Sequence, residues 1–273
     1  MIQMILLKLF IIFHTCYRTS GNLKKDLDIA WAEFDKHLKC DHLQYIGYYK
    51  GMEDDMDMHS KIKRQYLSAI NNIRNWHGVE PLKQNNELDV FAQSCANYRA
   101  RTGQCDKFNS VFGILITSSR VSNDAGKKVP YELYRNIDKD GEPFDFEANE
   151  DEMIKNDKKN WFGPITTMIW KNAINIGIGV AKKNEIIIDG EKVDGKFYVI
   201  VAVIHPMPCI LGKYKENITP RNLEIMIHDG YFEFLQETKK RDQNVIKYEL
   251  ESYVRKLMRS SSKKNLIIEK KEN

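Results

Sequence analysis

Little in this sequence of 273 residues is extreme, and several things are scarce. It has 5 cysteines, 7 prolines and 15 glycines. So little glycine and proline excludes collagen-like and low-complexity architectures. No two cysteines form a CxxC pair, which argues against a zinc ribbon or a thioredoxin-type site. Their density is also far below that of a disulfide scaffold, so an apolar core must hold the fold. Charge of one sign is scarce too: 42 Lys and Arg stand against 38 Asp and Glu, a net charge of +4. The excess lies at the end of the chain. Residues 251–273 hold seven basic side chains (Arg255, Lys256, Arg259, Lys263, Lys264, Lys270, Lys271) and three acidic ones (Glu251, Glu269, Glu272), which leaves residues 1–250 balanced. Net charge therefore gives no case for a nucleic-acid partner. Long hydrophobic runs are missing as well. The apolar stretch at residues 1–13 is interrupted by Gln3 and Lys8 and is shorter than the roughly 20 residues of a membrane span, so no transmembrane segment is expected.

What is present is ordinary for a globular chain: 42% apolar and 11% aromatic residues. The length suits one large domain or two small ones of roughly 100–200 residues each. Residues 1–20 combine an apolar core with small residues after it (Thr15, Cys16, Thr19, Ser20), the pattern of a secretory signal peptide without the usual basic start. Its cleavage would remove Cys16 and leave Cys40, Cys95, Cys105 and Cys209, among which three disulfide pairings are open. The alternative is an N-terminal segment that packs on the domain, with a cytoplasmic or Golgi-associated chain.

Hydrophobic periodicity orders the rest. Leu27, Ile29, Ala30, Trp31, Phe34, His37 and Leu38 recur at roughly helical spacing. Glu53, Asp54, Asp55 and Asp57 read as a solvated linker, since they lack the ligand spacing and central Gly of a calcium loop. His37, Cys40, Asp41 and His42 are metal-ligand types in no recognisable zinc spacing. Ile62, Tyr66, Ile70, Ile73 and Trp76 lie along one helical face, and Gly78 stands where a left-handed C-cap belongs. Asn86 is positioned to cap a second helix, whose stripe is Leu88, Phe91, Ala92, Cys95 and Tyr98. Val111–Ser119 predicts a strand. Tyr131–Ile137 and Thr166–Lys171 predict short helices. Ile176–Ala181, Glu185–Ile188 and Phe197–Ile204 predict strands, with Asp189-Gly190 or Asp194-Gly195 to turn between them. Helices interleaved with hairpin-joined strands predict an α+β domain around a largely antiparallel sheet.

Individual residues point weakly to chemistry. Trp161 and Trp170 suit core packing better than a ligand groove. His205, just after a strand, has no nucleophile near it in sequence. Ser118 and Ser119 lie outside any Gly-x-Ser-x-Gly elbow. Asn217-Ile218-Thr219 is a glycosylation sequon, usable only in a secreted chain.

Three stretches in order carry a resemblance. Leu67–Ala100 holds a helix, an HG…PL turn and a second helix. Gly163–Gly179 reads GPITTMIWKNAINIGIG, with its Met-Ile-Trp-Lys run leading to a Gly-x-Gly strand. Phe197–Ile218 ends in Lys-Glu-Asn-Ile. Together they resemble the CAP superfamily of cysteine-rich secretory proteins, antigen 5 venom allergens and pathogenesis-related proteins, whose unit is the SCP domain. The resemblance implies a three-layer α-β-α sandwich over residues 62–218. It leaves an N-terminal extension at 21–61 and a basic C-terminal extension at 219–273.

The family cleft often holds a divalent metal on two His and two Glu. Carried over, those positions are Asn109, Ile114, Asn136 and Pro164, so the resemblance implies neither a metal, nor another cofactor, nor a catalytic acid or base in that cleft. The family strand cysteine that would partner Cys105 falls on Ala202. The function implied is that of a secreted, non-enzymatic protein that binds an extracellular protein, host- and immune-directed roles included. The alternative is a carrier of a small apolar ligand such as a sterol or fatty acid. A peptidase ranks below both.

Overall fold

The computed structural model describes residues 21–38, 56–102, 111–135, 145–152, 162–188, 191–229 and 231. The first helix, α1 (Leu23–Leu38), opens on Asn22, whose side chain accepts from the Lys25 N–H. The second, α2 (Met56–Trp76), begins six residues before the expected boundary at 62 and takes in Asp57 and the buried His59. Part of the presumed linker is thus the first turn of a core helix. Gly78 follows at φ 63, where the sequence placed a C-cap.

A short strand β1 (Lys83–Gln84) leads to α3 (Asn86–Thr102). Its cap is Asn85 rather than Asn86: the Asn85 carboxamide oxygen accepts from the N–H groups of Glu87 and Leu88. Strand β2 (Gly113–Arg120) matches the expected strand. Helix α4 (Ala125–Arg135) starts well before the expected Tyr131 and carries Pro130 inside it. Gly126 explains the longer helix, because a Cβ there would stand 2.3 Å from the Ile62 carbonyl oxygen, so α4 lies directly on α2.

Helix α5 (Phe162–Ile169) precedes β3 (Asn175–Ile188) and β4 (Glu191–His205). The two strands expected at 176–181 and 185–188 are one, with a register irregularity between Lys183 and Glu185. Asp194 and Gly195 lie within β4, and the register pairs Ile188 with Glu191, so the connection is at 189–190. The short helices α6 (Tyr214–Asn217) and α7 (Leu223–His228) close the described chain.

The sheet order is β1-β3-β4-β2. β4 pairs antiparallel with both neighbours, while β1 runs parallel to β3, so the sheet is mixed. Alternation along β4 divides the core. Tyr198, Ile200, Ala202 and Ile204 face a cluster built on α2, α4 and α5. Val199, Val201 and Val203 face a second cluster built on α1 and α3. That is the expected three-layer α+β sandwich. Both flanking segments reach into it: Leu27, Ala30 and Phe34 enter the second cluster, and Met226 and Tyr231 the first.

Candidate functional site

The Gly-x-Gly strand sets the site's frame. A Cβ on Gly177 would stand 2.1 Å from the Leu88 carbonyl carbon, and one on Gly179 would stand 2.1 Å from the Ala92 carbonyl oxygen. Strand β3 therefore takes α3 at backbone contact, which only glycine permits. Beyond the reach of β1, helix side chains satisfy the strand edge. The Asp89 carboxylate accepts from the Ile178 N–H at 2.6 Å. The Gln93 carboxamide accepts from the Val180 N–H at 3.1 Å and donates to the Val180 carbonyl at 2.7 Å.

At the other end of the sheet, β2, α5 and the turn after β4 converge. A Cβ on Gly113 would stand 2.4 Å from Pro208 and 3.1 Å from the Thr167 methyl carbon, so the start of β2 touches both. Ile114 comes next, half-buried against the α1–α3 cluster. Pro164 lies half-buried in the first turn of α5. One turn on, the Thr167 hydroxyl donates to the Gly163 carbonyl at 2.7 Å. The Cys209 sulfur lies 3.1 Å from the Thr166 hydroxyl and 3.4 Å from that of Thr167. Burial raises the Cys209 thiol pKa, with the two hydroxyls working against it. The sulfur therefore stays protonated at neutral pH and is a poor nucleophile. Burial likewise raises the phenol of Tyr214, and the adjacent Cys209 adds to it. Tyr214 meets the buried Trp170 edge to face at 5.1 Å, which makes Trp170 a core residue.

Sequence reasoning left His205 without a partner. The structure supplies one from 179 residues away: its Nε2 lies 3.0 Å from the Asp26 carboxylate, and both side chains are buried. Its other ring nitrogen is buried without a hydrogen-bond partner among the described residues. The pair joins α1 to the end of β4 under the Phe112 ring. No local signal could have revealed Asp26, which reads as one more polar residue on an amphipathic helix. Ser118 is exposed at the far end of β2.

Of the four positions where the resemblance places metal ligands, Asn109 and Asn136 lie outside the described residues. Ile114 and Pro164 offer no lone pair, and Ile114 instead fills apolar space. Described groups of three or more His, Cys, Asp or Glu that could hold an ion are absent. The residues that are described do not fit a metal in this cleft. Cys95 and Cys209 are free thiols, and Cys40 and Cys105 lie outside the described residues. Asn217 is 1% exposed. Its amide donates to the Lys213 carbonyl and its oxygen accepts from the Asn172 N–H, so the folded domain presents no free nitrogen at that sequon. Among the described residues no helix is long and apolar enough to cross a membrane.

Residues 67–188 match the model of the cysteine-rich secretory protein family, CAP. No curated protein matches the chain in sequence. Among solved structures, NaASP2 with Zn2+ is 14% identical, with a TM-score of 0.42, over 62% of this chain and 90% of that one. MpPR-1i is 18% identical, with a TM-score of 0.37, over 60% of this chain and 97% of that one.

Proposed function

We propose, from the premise that this chain carries a domain of the cysteine-rich secretory protein family at residues 67–188, that it works by binding outside the cell and not by catalysis. One observation carries the reading. Where the family motif would put ionisable cleft residues, this chain has Ile114 and Pro164, and the thiol beside that helix is held protonated. Neither of these two side chains can shuttle a proton or polarise a carbonyl. Ile114 and Ile116 stay half-buried on the α1–α3 side of β2, and Pro164 is half-buried on α5, so each leaves some apolar surface for a partner. Secretion follows from the leader-like residues 1–20 together with the habit of the family.

The test has two arms. The protein is expressed in a secreting eukaryotic cell, and the form in the medium is sequenced from its N-terminus. A start near Gly21 is expected; a chain retained with residue 1 intact ends the secretory reading. The purified protein is then assayed for zinc by elemental analysis, with less than a tenth of an equivalent expected. A full equivalent of zinc, lost on Asn109→Ala with Asn136→Ala, would overturn the non-metal cleft.

Ile114 and Ile116 also motivate the second reading, a carrier of a sterol or fatty acid. Organic extraction of the purified protein followed by mass spectrometry separates the two. A stoichiometric lipid supports carriage, and a clean extract with no sterol uptake supports a protein partner.

A further inference from the structure

The segment from residue 219 onward does not hang from the domain. It is latched to one dipeptide, Trp76-His77, at the end of α2. The His77 ring spans the junction, with Nδ1 2.6 Å from the Thr219 carbonyl oxygen and Nε2 2.7 Å from the Tyr134 hydroxyl. A carbonyl only accepts, so Nδ1 carries the proton and Nε2 accepts from the phenol. The Thr219 hydroxyl donates back to the His77 carbonyl. The Asn222 N–H donates to the Trp76 carbonyl at 2.6 Å, and the Trp76 indole N–H donates to the Asp229 carboxylate at 2.7 Å. Tyr231 then packs 4.6 Å from the Trp76 ring and about equally far from Tyr131 and Tyr134, at 6.0 and 5.9 Å.

We propose that residues 219–229 with Tyr231 are an acid-released strap, seated in an aromatic groove of Trp76, Tyr131 and Tyr134 and let go when His77 takes up a second proton. The geometry makes that proton unwelcome. A new N–H at Nε2 would confront the phenol that now donates to it. Of the charged groups around the ring, Arg221 from the strap and Arg74 from α2 are both cations. Phe146 covers the ring from the segment at 145–152, whose Asp145 and Glu147 are exposed. Asp229 on the strap is engaged by the indole, and Glu80 lies beside Arg74. Burial is the main reason the imidazole is held down at about 4, with the two guanidiniums adding to it and the Thr219 carbonyl opposing.

The sign follows. A released strap leaves His77 near its ordinary value of about 6.5, so the released state binds more protons between the two values. Retention is complete above about pH 6.5, weakens as the pH falls toward 4 and levels off below it. The seating equilibrium should change by up to roughly 300-fold across that range.

The test is nuclear magnetic resonance on the full chain, following the Trp76 indole N–H and the amides of 219–231 from pH 7.5 to 3.5. The expected result is a joint transition of these signals below pH 6 while the β4 amides stay unchanged. His77→Gln keeps one donor and one acceptor without a titration, and should hold the strap seated through the range. Asp229→Asn tests the carboxylate that accepts from the indole and should leave the transition in place. Should His77→Gln fail to fold, Tyr134→Phe removes the bond that favours the neutral ring and should move the transition to higher pH. Strap signals that ignore pH in the native chain overturn the proposal. So does a transition that survives His77→Gln, vanishes with Asp229→Asn or does not move with Tyr134→Phe.

Discussion

The two faces of the sheet are held by different means. On the α2–α4–α5 face, a buried cation and an aromatic cluster gather the ends of several segments. Arg74, fully buried, donates to the carbonyls of Glu80, Met168, Trp170 and Ala173. These acceptors are the end of α5 and the loops beside it, where carbonyls lack helical partners. Burial lowers the guanidinium pKa to about 10, so Arg74 stays charged at neutral pH. On the α1–α3 face no such hub exists among the described residues. Backbone lies on backbone at Gly177 and Gly179, helix side chains complete the strand edge, and one acid–imidazole pair pins α1. The lesson is that a sheet can take a helix at backbone contact where glycine lets it approach, whereas a buried cation gathers carbonyls where chain ends meet.

The comparison can be broken by substitution, with urea unfolding as the measure. The largest loss is expected for Arg74→Met, which keeps the bulk but strands four carbonyls in the core, at about 3–5 kcal/mol. A loss under 1 kcal/mol would mean that Arg74 organises nothing. Gly179→Ala comes next, at roughly 3 kcal/mol, because its methyl must displace α3 backbone rather than a flexible side chain. If it is tolerated, α3 is free to shift and close approach is not what seats it. Asp26→Ala leaves His205 buried without its partner and should cost about 2–3 kcal/mol. Exchange protection across α1 should fall with it, and unchanged protection would show that Leu27, Ala30 and Phe34 suffice to hold the helix. The smallest effect is that of Gln93→Ala, about 1–2 kcal/mol, since β3 keeps its bonds to β4 when two edge groups lose theirs. A larger loss there than at Asp26 would reverse the ranking within this face.

Helix faces and strand alternation were legible because burial imposes its own periods, 3.6 residues on α2 and α3 and 2 residues on β4. The left-handed Gly78 was legible for the same local reason. Local misreadings arose where a tertiary contact overrode a local preference. The helix start at Ala125 depends on Gly126 meeting α2, and the single long β3 depends on β4 carrying it across the irregularity at Lys183. Asn85 won over Asn86 as the cap because its side chain reaches two N–H groups. The apolar side chains at Ile114 and Pro164 could be read from the sequence. That Cys209 stands among the Thr166 and Thr167 hydroxyls could not.

By itself, then, the sequence determined the class of fold, the buried faces of α2 and α3 and an apolar character at Ile114 and Pro164. These follow from residue type and spacing, which act over a few positions. Only the tertiary structure decided that Asp26 meets His205, that Arg74 gathers four carbonyls and that His77 bonds the segment at Thr219. Such bonds join residues up to 179 positions apart, and their strength comes from burial that exists only once the layers have closed.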